Sequence, residues 1–502
     1  MLAICERLSN RLEDEDIRYC HWKSNTYLSE SADGEADLDI LVDPAEEELV
    51  RKLLSELNFK LLQTSTYSNY PSLEDFIGFD ARSGTVIHLH LHYRLVLGRP
   101  FLKEFRLPWE EQLLTDRVRD EDTGIYMVHP RHELLLLLVR YALKLRWRNY
   151  VFEPLGIPLV RGDVRTEFTD LRHTVTAAEL ERATERLLGT DCVDAVLALY
   201  ENGPSVWRLR KLRSSLPEVF EQYRRHGKVW GGLVAAKQEL QSIAVKGNDK
   251  TLGLNFPYQK LVKKGGISVA FIGADGSGKS TVSKRVADEI GWITDTEQIY
   301  FGHGDSAESA LLFPKRFERW LAAQLLSNDD QQRRSETEGE STENSTAENI
   351  KSSPLYTLWD TIAVFSISLD KMRKLTKMNT ARNNGYVVIT DRYPTVDADS
   401  PDSPQLDHWR SSWHVAKRKL AAVERRPYEI AQQYPPDLVI RLSIPPETAV
   451  DRKPENTLER AKTRTAQADK IEIPDARVVD IDATQDLDDV VTESMAKIWA
   501  AL

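Results

Sequence analysis

Two stretches of the 502-residue sequence hold residue types at spacings that suit phosphate chemistry. The first, Gly273-Ala-Asp-Gly-Ser-Gly278-Lys279-Ser280, satisfies G-x-x-x-x-G-K-[ST] between an apolar run, ISVAFIG, and a segment of helical spacing, STVSKRVADEI. Gly273, Gly276 and Gly278 free the backbone to turn its N–H groups inward, and a helix N-terminus behind them adds partial positive charge. The wrap from Gly273 to Thr281, with Asp275 and Ser277 inside it, is therefore expected to hold a nucleotide's phosphates. Lys279 is placed to bridge the β- and γ-phosphates, and the Ser280 hydroxyl suits Mg²⁺.

A second strand candidate, GYVVITDRYP, ends on Asp391 and Arg392. In a parallel α/β sheet the C-terminal strand ends face the ligand crevice. An acid there can hold the water shell of Mg²⁺ or orient an acceptor oxygen, and the neighbouring arginine can neutralise a transferring phosphoryl group. The other reading is a surface Asp–Arg pair in the turn before Pro394. Arg452, Arg460 and Arg464 follow a further strand candidate in a polar stretch. Arginines on a closing lid can clamp phosphate, although each alone also reads as a solvated helix charge.

The second stretch lies near the start, in WKSNTYLSESADGEADLDILVD. Asp37 and Asp39 alternate along a strand and so project from one face, where two carboxylates can share Mg²⁺. In TVIHLHLHYRL, His88, His90 and His92 occupy alternate positions. They read as transition-metal ligands, as substitutes for a further carboxylate, or as the polar face of a half-covered strand. Asp80 is the nearest additional acid.

These residues need elements to carry them, and composition divides the chain accordingly. Residues 1–130 read as short strands between helices; 131–245 as helical, with ELLLLLVRYALKL a buried helix; 246–266 as a linker. An alternating β/α pattern then fills 267–502, interrupted at 327–353 by a polar segment expected to be a disordered insertion. Two or three domains are expected at this length. A net charge of −11 argues against a protein that coats nucleic acid. No run is long and apolar enough to span a bilayer. Cys5, Cys20 and Cys192 form no paired spacing, which fits a reducing cytoplasm.

Four segments in order, GADGSGKST, VVITDRYP, PDLVIRLSIPPETAVDRK and VVDIDATQDLDDV, make the sequence from Ile267 onward resemble thymidylate kinase and related P-loop monophosphate kinases. The resemblance implies a doubly wound parallel sheet, ATP and Mg²⁺ as cofactors, and a small phosphorylated substrate such as a nucleoside monophosphate. It would place Asp275 toward the acceptor sugar, Asp391 and Arg392 at the reacting phosphates, Arg452 at the adenine or lid, and Asp482–Gln485 near the adenine. Ile272 replaces the acid usual before the first glycine, and PTVDADSPDSPQ replaces the base-reading segment. For the expected acceptor-phosphate arginine, only Lys371, Arg373 and Lys374 are nearby.

Residues 1–130 resemble the nucleotidyltransferase superfamily, an α+β fold, with Ser24 near its Gly-Ser turn and Asp37 and Asp39 as metal ligands; a third carboxylate is expected on a neighbouring strand. The functional expectation is ATP-dependent phosphoryl transfer. A bifunctional nucleotidyltransferase/kinase and a nucleotide-switched regulatory protein are the alternatives, and a homodimer is compatible with each.

Overall fold

A computed structural model describes residues 1–64, 72–98, 103–145, 149–150, 162–216, 220, 230–234, 236–237, 240–241, 260–263, 265–302, 354–396, 402–455 and 457–502. The expected disordered insertion and residues 246–259 of the expected linker lie outside these. The chain forms two compact units: Met1–Lys263 with Ile293–Asp295, and Lys264–Trp292 with Thr296–Leu502.

Among the described residues of the first unit, helices α1 (Ala3–Asp14), α2 (Leu28–Ala32), α3 (Glu47–Glu56) and α4 (Glu110–Thr115) accompany ten strands. These are β1 (Tyr19–His21), β2 (Leu38–Val42), β3 (Lys60–Thr64), β4 (Leu73–Phe79), β5 (Val86–His92), β6 (Leu95–Leu97), β7 (Phe105–Leu107), β8 (Val118–Arg119), β9 (Tyr126–Met127) and β10 (Lys260–Val262). Eight of them make one mixed sheet in the order β10-β3-β4-β5-β2-β1-β9-β8. The two-residue period of a strand sorts its faces. Leu38, Ile40 and Val42 of β2 and Ile87, Leu89 and Leu91 of β5 enter one apolar core with Leu8 and Phe76. The polar residues between them share the opposite face. Parallel pairing sets Asp39 opposite His90, and antiparallel pairing of β4 with β5 sets Asp75 opposite His90 as well. Strand β10 arises inside the segment read as linker and pairs antiparallel with β3.

Helices among the described residues that follow include α5 (Pro130–Lys144), α6 (Gly162–Thr174), α7 (Ala177–Leu188), α8 (Val193–Asn202) and α9 (Val206–Ser215). Helix α5 starts on Pro130, whose missing N–H costs nothing at a first turn. Its leucines, Leu134 to Leu138, are buried against α7, α8 and α9. The apolar run is a core helix. Thr176 and Glu179 cap α7 reciprocally.

The second unit is an all-parallel sheet of β11 (Ile267–Gly273), β12 (Thr296–Tyr300), β13 (Val387–Asp391), β14 (Leu438–Ser443) and β15 (Arg477–Asp482). The order is β12-β13-β11-β14-β15, so the winding reverses at β11. Among the described residues its helices are α10 (Lys279–Gly291), α11 (Pro354–Asn383), α12 (Val415–Gln433), α13 (Pro446–Arg452), α14 (Leu458–Asp469) and α15 (Leu487–Ala501). Val269, Ala270 and Phe271 are fully buried, as a strand covered on both faces requires. Among the described residues no helix is long and apolar enough to cross a membrane. Phe271→Ala should leave a cavity at the centre of this sheet and lower stability by roughly 3–5 kcal/mol, read from urea unfolding midpoints.

Candidate functional site

The crevice of the second unit begins where β11 stops. Gly273 has φ +149°, and a Cβ there would lie 2.5 Å from the Leu442 carbonyl oxygen, so the strand can turn into the loop only without a side chain. Gly278 caps α10 in the left-handed region at φ +87°. Lys279 opens that helix, is buried, and donates to the Ala274 carbonyl at 2.6 Å, folded back over the loop. Burial, with Arg392 nearby, lowers its pKa from 10.5 to about 8. Thr281 sits one turn in and is exposed.

Parallel register brings the companion residues to the same edge. Phe271 pairs with Asp391, which places the end of β13 beside the loop. The Ser280 hydroxyl donates to Asp391 Oδ2 at 2.5 Å. Asp391 is buried, which raises its pKa although Ser280 and Lys279 oppose the shift. Its second oxygen, Oδ1, and the Ser277 hydroxyl are buried without partners. A hydroxyl and a carboxylate at one point, with an oxygen to spare, fit the hard, oxygen-seeking character of Mg²⁺. Arg392 takes the left-handed conformation at φ +70°, which turns its guanidinium back across the loop. It donates to Asp275 at 2.6 Å and to Asp402 at 3.2 Å. Burial would raise the Asp275 pKa, but Arg392 and Lys279 hold it lowered.

A small cavity lies over this arrangement, lined by Asp275, Lys279, Arg392, Asp402 and Arg464 among others. Of the three lid arginines only Arg464 reaches it. Arg452, at the end of α13, and Arg460 are exposed and do not line it. Asp482 at the end of β15 accepts from the Thr484 N–H and hydroxyl in an exposed turn. The aromatic stretch His408–Trp413 lies outside the cavity lining, with Trp413 82% exposed.

The three basic candidates on α11 separate clearly. Arg373 is exposed and Lys374 is paired with Asp370 at 2.6 Å. Lys371 is buried under the Tyr428 ring, and its ammonium has no hydrogen-bond partner. Burial lowers its pKa to about 8, partly offset by Asp402 and Glu424. Sequence spacing could not rank the three: Lys371 and Lys374, three residues apart, share a helix face, and their difference in burial and pairing comes from tertiary packing.

The first unit holds a separate polar cluster. Asp37 bonds His88 Nδ1 at 2.6 Å, and Asp39 bonds His90 Nδ1 at 3.1 Å. Asp39 also meets His92 Nε2 at 3.4 Å and the Lys23 ammonium at 2.8 Å. Burial would raise the Asp39 pKa, yet Lys23 and the histidines hold it well below the carboxylate range. Burial pushes His92 down to about 4. The acid nearest the histidines in sequence, Asp80, is elsewhere: its carboxylate accepts the backbone N–H groups of Ile4, Arg82 and Ser83 and closes a turn. The carboxylate on the neighbouring strand is Asp75, buried in β4 and bonded by Lys260 at 2.7 Å. Its signal was an acid inside the strand-like run LEDFIGF. Ser24 has φ +56°, the conformation that favours glycine, and Asn25 beside it bonds the buried Glu133 twice.

Loop, strand order and helix together define a P-loop α/β domain. No family model matches the chain. It is similar to two Escherichia coli K12 proteins, named uncharacterized ATP-binding protein YghR and uncharacterized ATP-binding protein YghS. The first is 27% identical over 46% of this chain and 86% of the relative, the second 28% identical over 47% and 93%. A solved deoxyadenosine kinase from M. mycoides with bound dATP aligns over 46% of this chain and 99% of its own, at 15% identity and TM-score 0.28.

The buried Lys279 ammonium has a pH signature. Unfolded, it titrates near 10.5; folded, near 8. Between those values the unfolded chain binds the extra proton, so wild-type stability rises as pH climbs through the window, and below it the penalty is complete. Lys279→Met should therefore be more stable than wild type at neutral pH, with the difference in urea midpoint shrinking from about pH 8 toward 10.5. A gap that stays constant across that range would contradict the burial assignment.

Proposed function

We propose that the second unit is an ATP- and Mg²⁺-dependent kinase that phosphorylates a small, already phosphorylated acceptor of the nucleoside monophosphate class. The observation that carries this is the convergence of Lys279, the Ser280–Asp391 pair and Arg392 on one crevice edge at the winding reversal. The two relatives named as ATP-binding support ATP as donor.

In this reading the loop N–H groups from Gly276 to Thr281 wrap the β- and γ-phosphates, and Lys279 exchanges the Ala274 carbonyl for phosphate oxygens. Ser280 and Asp391 hold Mg²⁺, which when bound neutralises charge on the phosphate chain. Arg392 lets go of Asp275 and meets the transferring phosphoryl group, releasing Asp275 toward the acceptor. Lys371 supplies a buried cation for the acceptor's own phosphate, and Arg464 closes from α14. A bond forms between an acceptor oxygen and the γ-phosphorus as the bond to ADP breaks. Catalysis is positioning and charge neutralisation rather than strong base action. Within the same proposal, residues 1–130 are a nucleotidyltransferase-like domain in which Asp39 already meets a protein cation, Lys23.

The test is incubation of the full chain with ATP, Mg²⁺ and a panel of nucleoside monophosphates and sugar phosphates, read by mass spectrometry. One acceptor class should gain a phosphoryl unit, and Lys279→Ala should lower turnover by at least about 10²-fold. Lys371→Met should raise the acceptor KM while leaving that of ATP unchanged. Turnover that survives Lys279→Ala would refute the mechanism.

A further inference from the structure

We infer that Asp37, His88 and His90 in the first unit form a binding site for one transition-metal ion of the zinc class, whose occupancy is mutually exclusive with the bonds Lys260 makes to the two histidines. The inference is independent of the kinase reading.

The ligand atoms of these three residues lie within 4.8 Å of one another. His88 Nδ1 is 2.6 Å from Asp37 Oδ1, and His90 Nδ1 is 3.8 Å from Asp37 Oδ2. Around metal bonds of about 2.0–2.1 Å, tetrahedral ligands sit roughly 3.3 Å apart, so small side-chain shifts complete the geometry. Two imidazoles with a carboxylate suit zinc and its neighbours rather than Mg²⁺, which prefers an all-oxygen shell. The Asp37 side chain is 43% exposed while that of His88 is 6% exposed, which gives an ion entry from solvent to a buried imidazole. Asp39 opens a second grouping with His90 and His92, but the Lys23 ammonium already sits 2.8 Å from its Oδ1. Among the described residues, lysines pair with Asp39 and Asp75 of this cluster and none with Asp37.

The other ring nitrogens decide when the site can fill. The Lys260 ammonium lies 2.7 Å from His88 Nε2, 3.1 Å from His90 Nε2 and 2.7 Å from Asp75 Oδ1. An ammonium only donates, so a ring bonded to it accepts at Nε2 and keeps its proton on Nδ1, facing Asp37 or Asp39. A metal needs the Nδ1 lone pair. The ring proton must then sit on Nε2, where Asp75 Oδ1, 3.1 Å from His90 and 3.5 Å from His88, can accept it. That completes a carboxylate–histidine–metal arrangement. In that state neither ring offers Lys260 a lone pair. Exclusion follows from counting protons and lone pairs and needs no movement of the strands.

The experiment titrates the full-length protein with Co²⁺, read by its visible ligand-field bands, and with Zn²⁺ by competition against a chromophoric chelator. One equivalent should bind with tetrahedral bands. Lys260→Met should bind at least about 10-fold tighter, and Asp75→Asn and Asp37→Asn each roughly 10- to 100-fold weaker. Lys260→Gln, which keeps a donor without the charge, serves if the methionine variant misfolds. Long-range ¹H–¹⁵N spectra of the wild-type histidine rings give a readout that needs no variant. His88 should carry its proton on Nδ1 without metal and on Nε2 with Zn²⁺. No Co²⁺ bands in either wild type or Lys260→Met would overturn the site. Equal affinity in those two proteins would overturn the exclusion. Binding that survives Asp37→Asn but not Asp75→Asn would put the ion in the Lys260 position and overturn the assignment.

Discussion

The structure of the second unit depends on one pairing, that of β11 with β13 in parallel register, Phe271 opposite Asp391. A slip of one residue would turn Asp391 to the other sheet face and separate it from Ser280. With the register as it is, the end of one strand supplies the phosphate loop and the end of the next supplies the carboxylate and guanidinium. The strand order reverses there, so the flanking helices diverge and leave a crevice. Burial of Val269 to Phe271 and Val387 to Ile389 fixes that register energetically.

The same dependence on register runs through the first unit, with a different chemical result. Asp39, His90 and Asp75 lie across three adjacent strands in one row. Lysines enter that row from outside, Lys23 beside β1 and Lys260 from β10. Their ammonium groups balance carboxylates that would otherwise carry an uncompensated buried charge. In the second unit the arrangement is reversed: Lys279 and Lys371 are buried cations with lowered pKa values, and anions relieve them. Such buried cations weaken the folded state.

Much of the second unit was legible in the sequence because local rules carry it. ISVAFIG is the strand Ile267–Gly273 to the residue, and the glycines of the loop have the conformations their type allows. The strand ending on Asp391 was equally plain as an apolar run. What spacing could not carry was side-chain direction across long sequence separations. Arg464 rather than Arg452 lines the cavity, because α14 and not the end of α13 packs beside β11. Asp75 and Lys260 escaped for the same reason. They lie 185 residues apart and meet only because β10 pairs with β3 at the sheet edge. No periodicity links them.

The central claim is that the loop from Gly273 to Thr281 closes on the phosphates of ATP. Hydrogen exchange of the full chain, followed by mass spectrometry with and without ATP and Mg²⁺, addresses it most directly. Backbone N–H groups that wrap a phosphate chain should exchange more slowly, so protection is expected in the peptide covering Gly276 to Thr281. Exchange in that peptide left unchanged at saturating ATP would contradict the account.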